Sequence, residues 1–156
     1  NIFQEEYGFS YDVVDAVLAA GAEKPVDAVQ RARSLVKFME RDTFDALSTA
    51  FTRAFNLAKN AGEGEVEAGL LAEPAERELY ESIQTVSRLV HKHLAQEDYF
   101  SILEVLATLR EPIDRFFDQV MVMVEDEQVK RNRLALLQSV VKLARVVADF
   151  SRLAVK

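Results

Sequence analysis

The chain has no cysteine, and among its 156 residues only five are glycine and three are proline. The absence of cysteine excludes disulfide bonds and thiolate chemistry, and it is compatible with a cytosolic protein. No apolar run approaches the roughly 20 residues that a helix needs to cross a bilayer. The first residues, NIFQEEYGF, have neither the basic region nor the apolar region of a signal peptide. They also lack an initiator methionine, so we expect a piece of a longer protein.

The size and the hydrophobic content indicate a folded protein. Hydrophobic residues make up 49% of the chain, which argues against extended disorder. A chain of this length is also long enough to bury a core. We therefore predict that residues 1–156 form a single domain.

The charge is distributed unevenly along the sequence. The formal net charge is −7, which argues against a general nucleic-acid binder. Residues 128–156, however, contain seven basic residues and one acidic residue, and residues 31–59 contain six basic and three acidic residues. An acidic chain with two basic zones indicates a contact with a polyanion, provided that the zones meet in space.

Apolar residues recur with the period of a helix along almost the whole chain. Segment 61–73 is the exception, because it is rich in glycine and glutamate and indicates an acidic surface loop. These patterns predict an all-α fold, a single bundle of about seven helices. The predicted helices cover about residues 10–20, 25–40, 43–58, 74–95, 98–109, 112–122 and 126–152.

The sequence offers no recognisable catalytic or metal site. The glycine-rich segment lacks the Lys-Ser/Thr ending of a phosphate-binding loop. His91 and His93 would point about 200° apart on a helix, so both cannot bind one metal ion. We therefore predict neither a catalytic residue nor a metal ligand in this chain.

Segment 119–125, QVMVMVE, alternates between apolar and other residues. It is too short and too isolated among helical patterns to predict a strand. Met121 and Met123 are interpreted as packing residues near the core rather than as a soft binding surface.

The segment EDEQVKRNRLALL opens the last predicted helix with three acids, which are followed by three bases. Asp126 and Lys130, and likewise Glu127 and Arg131, have the spacing of i, i+4 ion pairs. Arg133 has no acid at a neighbouring helical position. It therefore either reaches an acid on another helix or faces a ligand, and from the residues alone we favour the structural role.

Other polar residues leave the same alternatives open. Asn132 either reads a base edge or is simply solvated. Arg53, Asn56 and Lys59 lie on one strip of the third predicted helix, where they are either solvated or in contact with a ligand.

Several segments together resemble one protein family. They have the same order and spacing as in the C-terminal region of the β subunit of bacterial-type glycyl-tRNA synthetases, and the similarity runs from about residue 10 to residue 153. The segments are YDVVDAVLA, KPVDAVQRARSL, EPAERELYE, PIDRFFDQVMVMVEDEQVKRNRLALL and VADFSRL.

This resemblance implies a DALR-type helical anticodon-binding domain, similar to the one that closes class I arginyl-tRNA synthetases. The family enzyme is a cytoplasmic α2β2 heterotetramer that joins glycine to its tRNA with ATP and magnesium, which act in the α subunit. The domain itself would hold no cofactor and perform no catalysis. Its partners would be the anticodon region of glycine tRNA, the rest of the β subunit and the α subunit, with no membrane or DNA partner. The chain end would fall near the natural C-terminus of the subunit.

We therefore predict an RNA-binding face, on which arginine and lysine contact phosphates while asparagine or arginine reads unstacked bases. The alternative is a docking module that holds subunits or domains together without reading the anticodon. The candidate residues are Arg53, Asn56, Lys59, Arg131, Asn132, Arg133 and Arg145.

Overall fold

The computed structural model describes residues 8–21 and 25–153. Within these ranges the chain forms seven α-helices, two short 3₁₀ turns and no strand, which confirms the predicted all-α class. The expectations about the chain ends concern residues that lie outside these ranges. The helices are α1 (Tyr11–Ala19), α2 (Pro25–Phe38), α3 (Phe44–Ala58), α4 (Pro74–Ala95), α5 (Tyr99–Ala107), α6 (Arg110–Gln119) and α7 (Glu127–Ala144), and the 3₁₀ turns are Ala68–Leu70 and Phe150–Arg152.

One hydrophobic core joins these helices. The long helix α4 packs against α5, α6 and α7, and α7 packs along α3. The C-terminal 3₁₀ turn closes the core, because the ring of Phe150 lies 5.0 Å from that of Phe51 and 6.1 Å from that of Phe44, measured between ring centroids. Such aromatic contacts each add about 0.5–1.5 kcal/mol beyond the area they bury. These contacts therefore hold the C-terminal 3₁₀ turn against α3.

The start of α6 and the end of α7 differ from the prediction. Helix α6 begins at Arg110, so Pro112 lies in its first turn, where the missing N–H has no intrahelical partner to lose. Helix α7 ends at Ala144, eight residues before the predicted end. The chain leaves the helix there because the N–H of Asp149 donates to the carbonyl of Ala16 in α1, 2.9 Å away. A tertiary contact thus overrides the local helical pattern.

The link between α6 and α7 keeps the alternation seen in the sequence without forming a strand. Val120 and Val122 are buried in the core, whereas Met121 and Met123 are 72% and 60% exposed. The packing interpretation of the two methionines was therefore wrong. Their thioethers are presented to solvent beside the first turn of α7.

Asp98 caps helix α5 and gives a first testable prediction. Its carboxylate accepts hydrogen bonds from the Ser101 hydroxyl (2.7 Å) and the Ser101 backbone N–H (3.1 Å), and these two bonds lower the pKa of Asp98. We expect Asp98→Ala to lower the free energy of unfolding by about 1 kcal/mol at neutral pH, measured by urea denaturation.

The pH dependence of this effect follows from the direction of the pKa shift. The folded-state pKa lies below the ordinary value of 3.8, so the cap stabilises fully above that value and its contribution is lost as the pH falls through the folded-state pKa. Asp98→Asn keeps an acceptor for the cap and serves as the control without the titration. An unchanged difference between wild type and Asp98→Ala at about pH 3 would contradict this role.

Candidate nucleic-acid interface

A groove of about 530 Å³ lies between the C-terminal end of α3, the segment that follows it and the first turns of α7. We call it the α3–α7 groove. Its floor is apolar and its rim is charged. The lining includes Leu57, Asn60, Glu63, Met123, Glu127, Lys130, Arg131 and Leu134.

A smaller depression of about 150 Å³ adjoins this groove on the other side of Glu63. We call it the lysine hollow, because Lys59, which directly follows α3, and Lys142 of α7 both line it. Phe55 and Val141 give it an apolar surface. The two depressions together place cationic side chains from both basic zones of the sequence around one segment.

The charges in the first turns of α7 are arranged differently from the predicted pairs. Asp126 caps the helix by accepting from the N–H groups of Gln128 and Val129, at 3.0 and 3.2 Å. Lys130 pairs with Glu127 instead, at 3.2 Å. The two predicted i, i+4 pairs were therefore wrong, because backbone amides occupy the Asp126 carboxylate and Glu127 turns to Lys130.

Arg131 is left exposed on the rim of the groove. Within the described part of the chain, no ion pair or hydrogen bond joins its guanidinium to another residue. It also lines a shallow depression beside Glu65 and Glu67. Its charge therefore remains available to a ligand.

Arg53 occupies the same side of α3 as the groove. Positions 53, 57 and 60 are spaced i, i+4 and i+7, so Arg53 continues the stripe that lines the groove with Leu57 and Asn60. The guanidinium carbon lies 4.1 Å from the centroid of the Phe117 ring in α6, a cation–π contact that orients the side chain while it stays exposed. Asn56 is exposed one turn along the helix.

Asn132 lies in the interior, where it is only 3% exposed. Its Oδ1 accepts from the N–H of Glu67 (2.7 Å), and its Nδ2 donates to the carbonyl of Glu67 (3.1 Å). The side-chain amide thus pairs with one residue of the acidic loop as a neighbouring backbone would. We call this pair of hydrogen bonds the Asn132 clamp.

A second amide anchors the beginning of the same loop. Nε2 of Gln138 donates to the carbonyls of Ala61 (3.1 Å) and Gly62 (3.0 Å). The stretch between the two anchors, which carries Glu63 and Glu65, remains exposed. The predicted acidic surface loop is thus on the surface, but two side chains of α7 fix its position.

Arg133 resolves the alternatives that its sequence left open. It is 9% exposed, and its Nη2 lies 3.0 Å from Oε1 of Glu76, a fully buried carboxylate in the first turn of α4. Its Nη1 donates to the carbonyl of Met121 (2.6 Å). The arginine therefore reaches an acid on another helix and also holds the link that precedes α7.

Arg145 lies far from the groove, about 21 Å along the axis of α7 from Arg131 at the helical rise of about 1.5 Å per residue. Its Nη2 donates to the carbonyl of Ala19 (2.7 Å) at the C-terminal end of α1, and its Nη1 lies 3.4 Å from Asp149. This cation satisfies an end-of-helix carbonyl, as is favourable at a helix C-terminus.

The structure thus divides the candidate residues into two groups. Arg53, Asn56, Lys59 and Arg131 are exposed around the α3–α7 groove and the lysine hollow. Asn132, Arg133 and Arg145 make internal contacts and do not share that surface.

Several residues that build the site were not among the candidates predicted from the sequence. Glu76 was visible only as an acid in a first helical turn, and nothing local signals that it is buried. Gln138 had no signal at all, since its partners lie more than seventy residues earlier in the chain. For Lys142 and Met123 a signal existed, because each is a basic or apolar residue close to the KRNR segment.

Two further observations bear on the kind of site. Among the described residues, no group of three or more His, Asp or Glu side chains is placed to hold a metal ion. In the same part of the chain, no helix is both long enough and apolar enough to cross a membrane.

Comparison with known proteins first defines the class. The DALR anticodon binding domain matches residues 47–148, a range that includes most of α3, all of α7 and the groove between them. The chain belongs to this family. The resemblance inferred from the sequence is thereby confirmed for the domain.

The individual relatives are more specific. The glycine–tRNA ligase beta subunits of Moorella thermoacetica and Desulforudis audaxviator are both 48% identical to this chain, over 150 and 151 residues. The alignments cover 96% and 97% of this chain and 22% of each relative. The corresponding subunit of Acidobacterium capsulatum is 42% identical over 160 residues. The chain therefore spans about a fifth of the length of the curated relatives it matches.

Proposed function

We propose that this chain is the tRNA-binding domain of a glycine–tRNA ligase beta subunit, and that it binds the anticodon region of glycine tRNA. The observation that carries the proposal is Arg131, which is exposed on the rim of the α3–α7 groove and has no ion pair with any described residue. The family match and the names of the relatives agree with an RNA ligand of this kind.

The groove fits an unstacked RNA segment better than a duplex. Single-stranded loops are bound by cations that contact phosphates and by apolar or aromatic surfaces that receive the splayed bases. Arg131, Lys59 and Lys142 would contact phosphates. Leu57 and Met123 would lie against a base.

The remaining candidates have separate roles in this proposal. Arg53 and Asn56 extend the RNA-binding face along α3. Asn132 and Arg133 hold the acidic loop and the link before α7, so they act by positioning the face. Arg145 would stay outside the contact.

In this proposal, other parts of the enzyme supply substrate binding and catalysis. We propose that the chain belongs to an α2β2 assembly in the cytoplasm, in which the α subunit binds glycine, ATP and magnesium and performs the ligation. The beta-subunit names of the relatives support such a partner. The domain then contributes tRNA binding and contacts to the rest of its own subunit, with no DNA or membrane partner.

A salt titration tests the proposed RNA contact. We expect the affinity of the assembled ligase for a glycine tRNA transcript to fall as salt rises, because cations that contact phosphates release counterions. Arg131→Ala should weaken binding about three- to tenfold and reduce the slope of log affinity against log salt by about 0.7, the value for one contact to single-stranded RNA. Filter binding at several salt concentrations measures both quantities.

Arg145→Ala is the matched control, since it removes an arginine that directly follows the same helix, at a distance from the groove. It should leave the slope unchanged. If Arg131→Ala also leaves the slope unchanged, the groove is not the RNA contact. If charging by the wild-type enzyme ignores changes in the anticodon, the docking alternative replaces the proposed function.

A further inference from the structure

One carboxylate on the proposed RNA-binding face calls for an explanation. Glu63 is exposed and lines both the α3–α7 groove and the lysine hollow, so it forms the ridge between them. A carboxylate in this position repels RNA phosphates. The carboxylate therefore opposes the binding of phosphates at this place. It favours binding only where a hydrogen-bond donor of the RNA reaches it.

The structure holds the Glu63 backbone in place without using its side chain. The preceding residue, Gly62, is fixed through its carbonyl by Gln138, and Glu67 is fixed by the Asn132 clamp. Within the described part of the chain, no hydrogen bond or ion pair joins the Glu63 carboxylate to another residue. The backbone on both sides of Glu63 is thus held at the rim, and the carboxylate oxygens make no such contact within the described residues.

The surroundings of Glu63 suit a single nucleotide. A volume of about 530 Å³ lies within the range of about 300–1,000 Å³ that small-ligand sites occupy. Leu57, Leu134 and Met123 offer an apolar surface to a base, while Arg131 on the rim is placed for its phosphate.

A carboxylate distinguishes bases by their donors. Glutamate accepts a hydrogen bond from the exocyclic amine of cytosine, whereas uracil presents a carbonyl oxygen at that position and is repelled. Every glycine codon begins with a pair of guanines, so the glycine anticodon presents adjacent cytosines.

We infer that Glu63 is a specificity-determining residue, whose carboxylate accepts a hydrogen bond from the amine of an anticodon cytosine seated in the α3–α7 groove. This inference rests on the proposed function. The cations of the face provide affinity for any RNA loop of the right shape, and Glu63 selects the base.

The test measures the ratio of the affinities for two tRNAs rather than the affinity for one of them. Glycine tRNA transcripts carrying uridine in place of each anticodon cytosine are titrated against the assembled ligase. Wild type should prefer cytosine at one of these positions by about tenfold, as is typical of a base-edge hydrogen bond. In Glu63→Gln the preference at that position should shrink to about threefold or less, because the amide can also donate to uracil.

Glu65→Gln is the matched control, because it removes the same charge from the same exposed loop on the far side of Arg131. Both substitutions remove one negative charge and so reduce the general repulsion of RNA. This electrostatic effect changes the affinities for the cytidine and uridine transcripts by the same factor, so it does not alter their ratio. Only the loss of the hydrogen bond in Glu63→Gln should change that ratio. Glu63→Ala should abolish the preference as well, without the gain for uridine.

The outcomes separate the inference from the proposed function. If wild type does not bind glycine tRNA in a salt-dependent manner, the proposed function fails. If it binds but Glu63→Gln and Glu63→Ala keep the wild-type preference, the inference is overturned while the proposed function stands. The same holds if wild type shows no preference at either position.

Discussion

Replacing Arg133 by methionine is expected to lower the free energy of unfolding by about 3–5 kcal/mol, the range found when one partner of a buried ion pair is removed. The partner, Glu76, is fully buried, and its Oε1 also accepts from the N–H of Glu73 at the start of α4. The methionine fills much of the arginine's volume, so the loss reflects an uncompensated charge rather than a cavity. Urea denaturation measures the change.

Lost hydrogen bonds also contribute to the decrease in stability expected for Arg133→Met. Oε2 of Glu76 and Nε of Arg133 are buried without a hydrogen-bond partner, so the pair is already only partly satisfied. Once Arg133 is gone, Glu76 retains a single hydrogen bond for a full negative charge. The carbonyl of Met121 also loses its donor, which loosens the link between α6 and α7.

Two further variants identify the cause. Arg131→Met makes the same substitution two positions earlier on the exposed face of α7 and should change stability by no more than about 0.5 kcal/mol. Adding Glu76→Gln to Arg133→Met removes the stranded charge and keeps an acceptor for Glu73, so it should restore more than half of the loss. Equal stability of Arg133→Met and Arg131→Met would show that the buried pair contributes nothing to folding.

The predictions from the sequence were most accurate for features that neighbouring residues determine, such as the bounds of a regular helix. The bounds of α4 agree with the prediction at both ends, because Pro74 suits a first helical position and the apolar stripe that follows it is regular. The predicted end of α7 was wrong, because the helix stops where the N–H of Asp149 bonds to the carbonyl of Ala16. These two residues lie more than a hundred positions apart in the sequence. Local periodicity carries no information about such a contact.

The candidate site shows the same limit. The lack of a local acid correctly singled out Arg133, but the identity of its partner depends on how α4 and α7 pack. Exposure of Met121 and Met123 follows from the direction in which the link leaves α6, which periodicity does not determine. The cations on the rim were predictable as basic residues, whereas their grouping around one groove required the packing of α3 along α7.

The Asn132 clamp gives the prediction with the most direct bearing on the site. Asn132→Ala removes both hydrogen bonds to Glu67 and leaves that residue's N–H and carbonyl without partners at a partly buried position. We expect the free energy of unfolding to fall by about 1–3 kcal/mol. Hydrogen exchange in segment 61–67 should accelerate, as measured by mass spectrometry of the intact subunit.

Gln138→Ala is the control at the other end of the loop. Its two hydrogen bonds go to carbonyls, one of them exposed, so water can replace them and the cost should stay below about 1 kcal/mol. If Asn132 instead read a base, Asn132→Ala would weaken tRNA binding while stability and exchange stayed as in wild type. With the clamp as its role, the substitution should loosen the loop that carries Glu63 and thereby reduce the preference for cytosine, because a hydrogen bond discriminates between bases only when its acceptor is held in position.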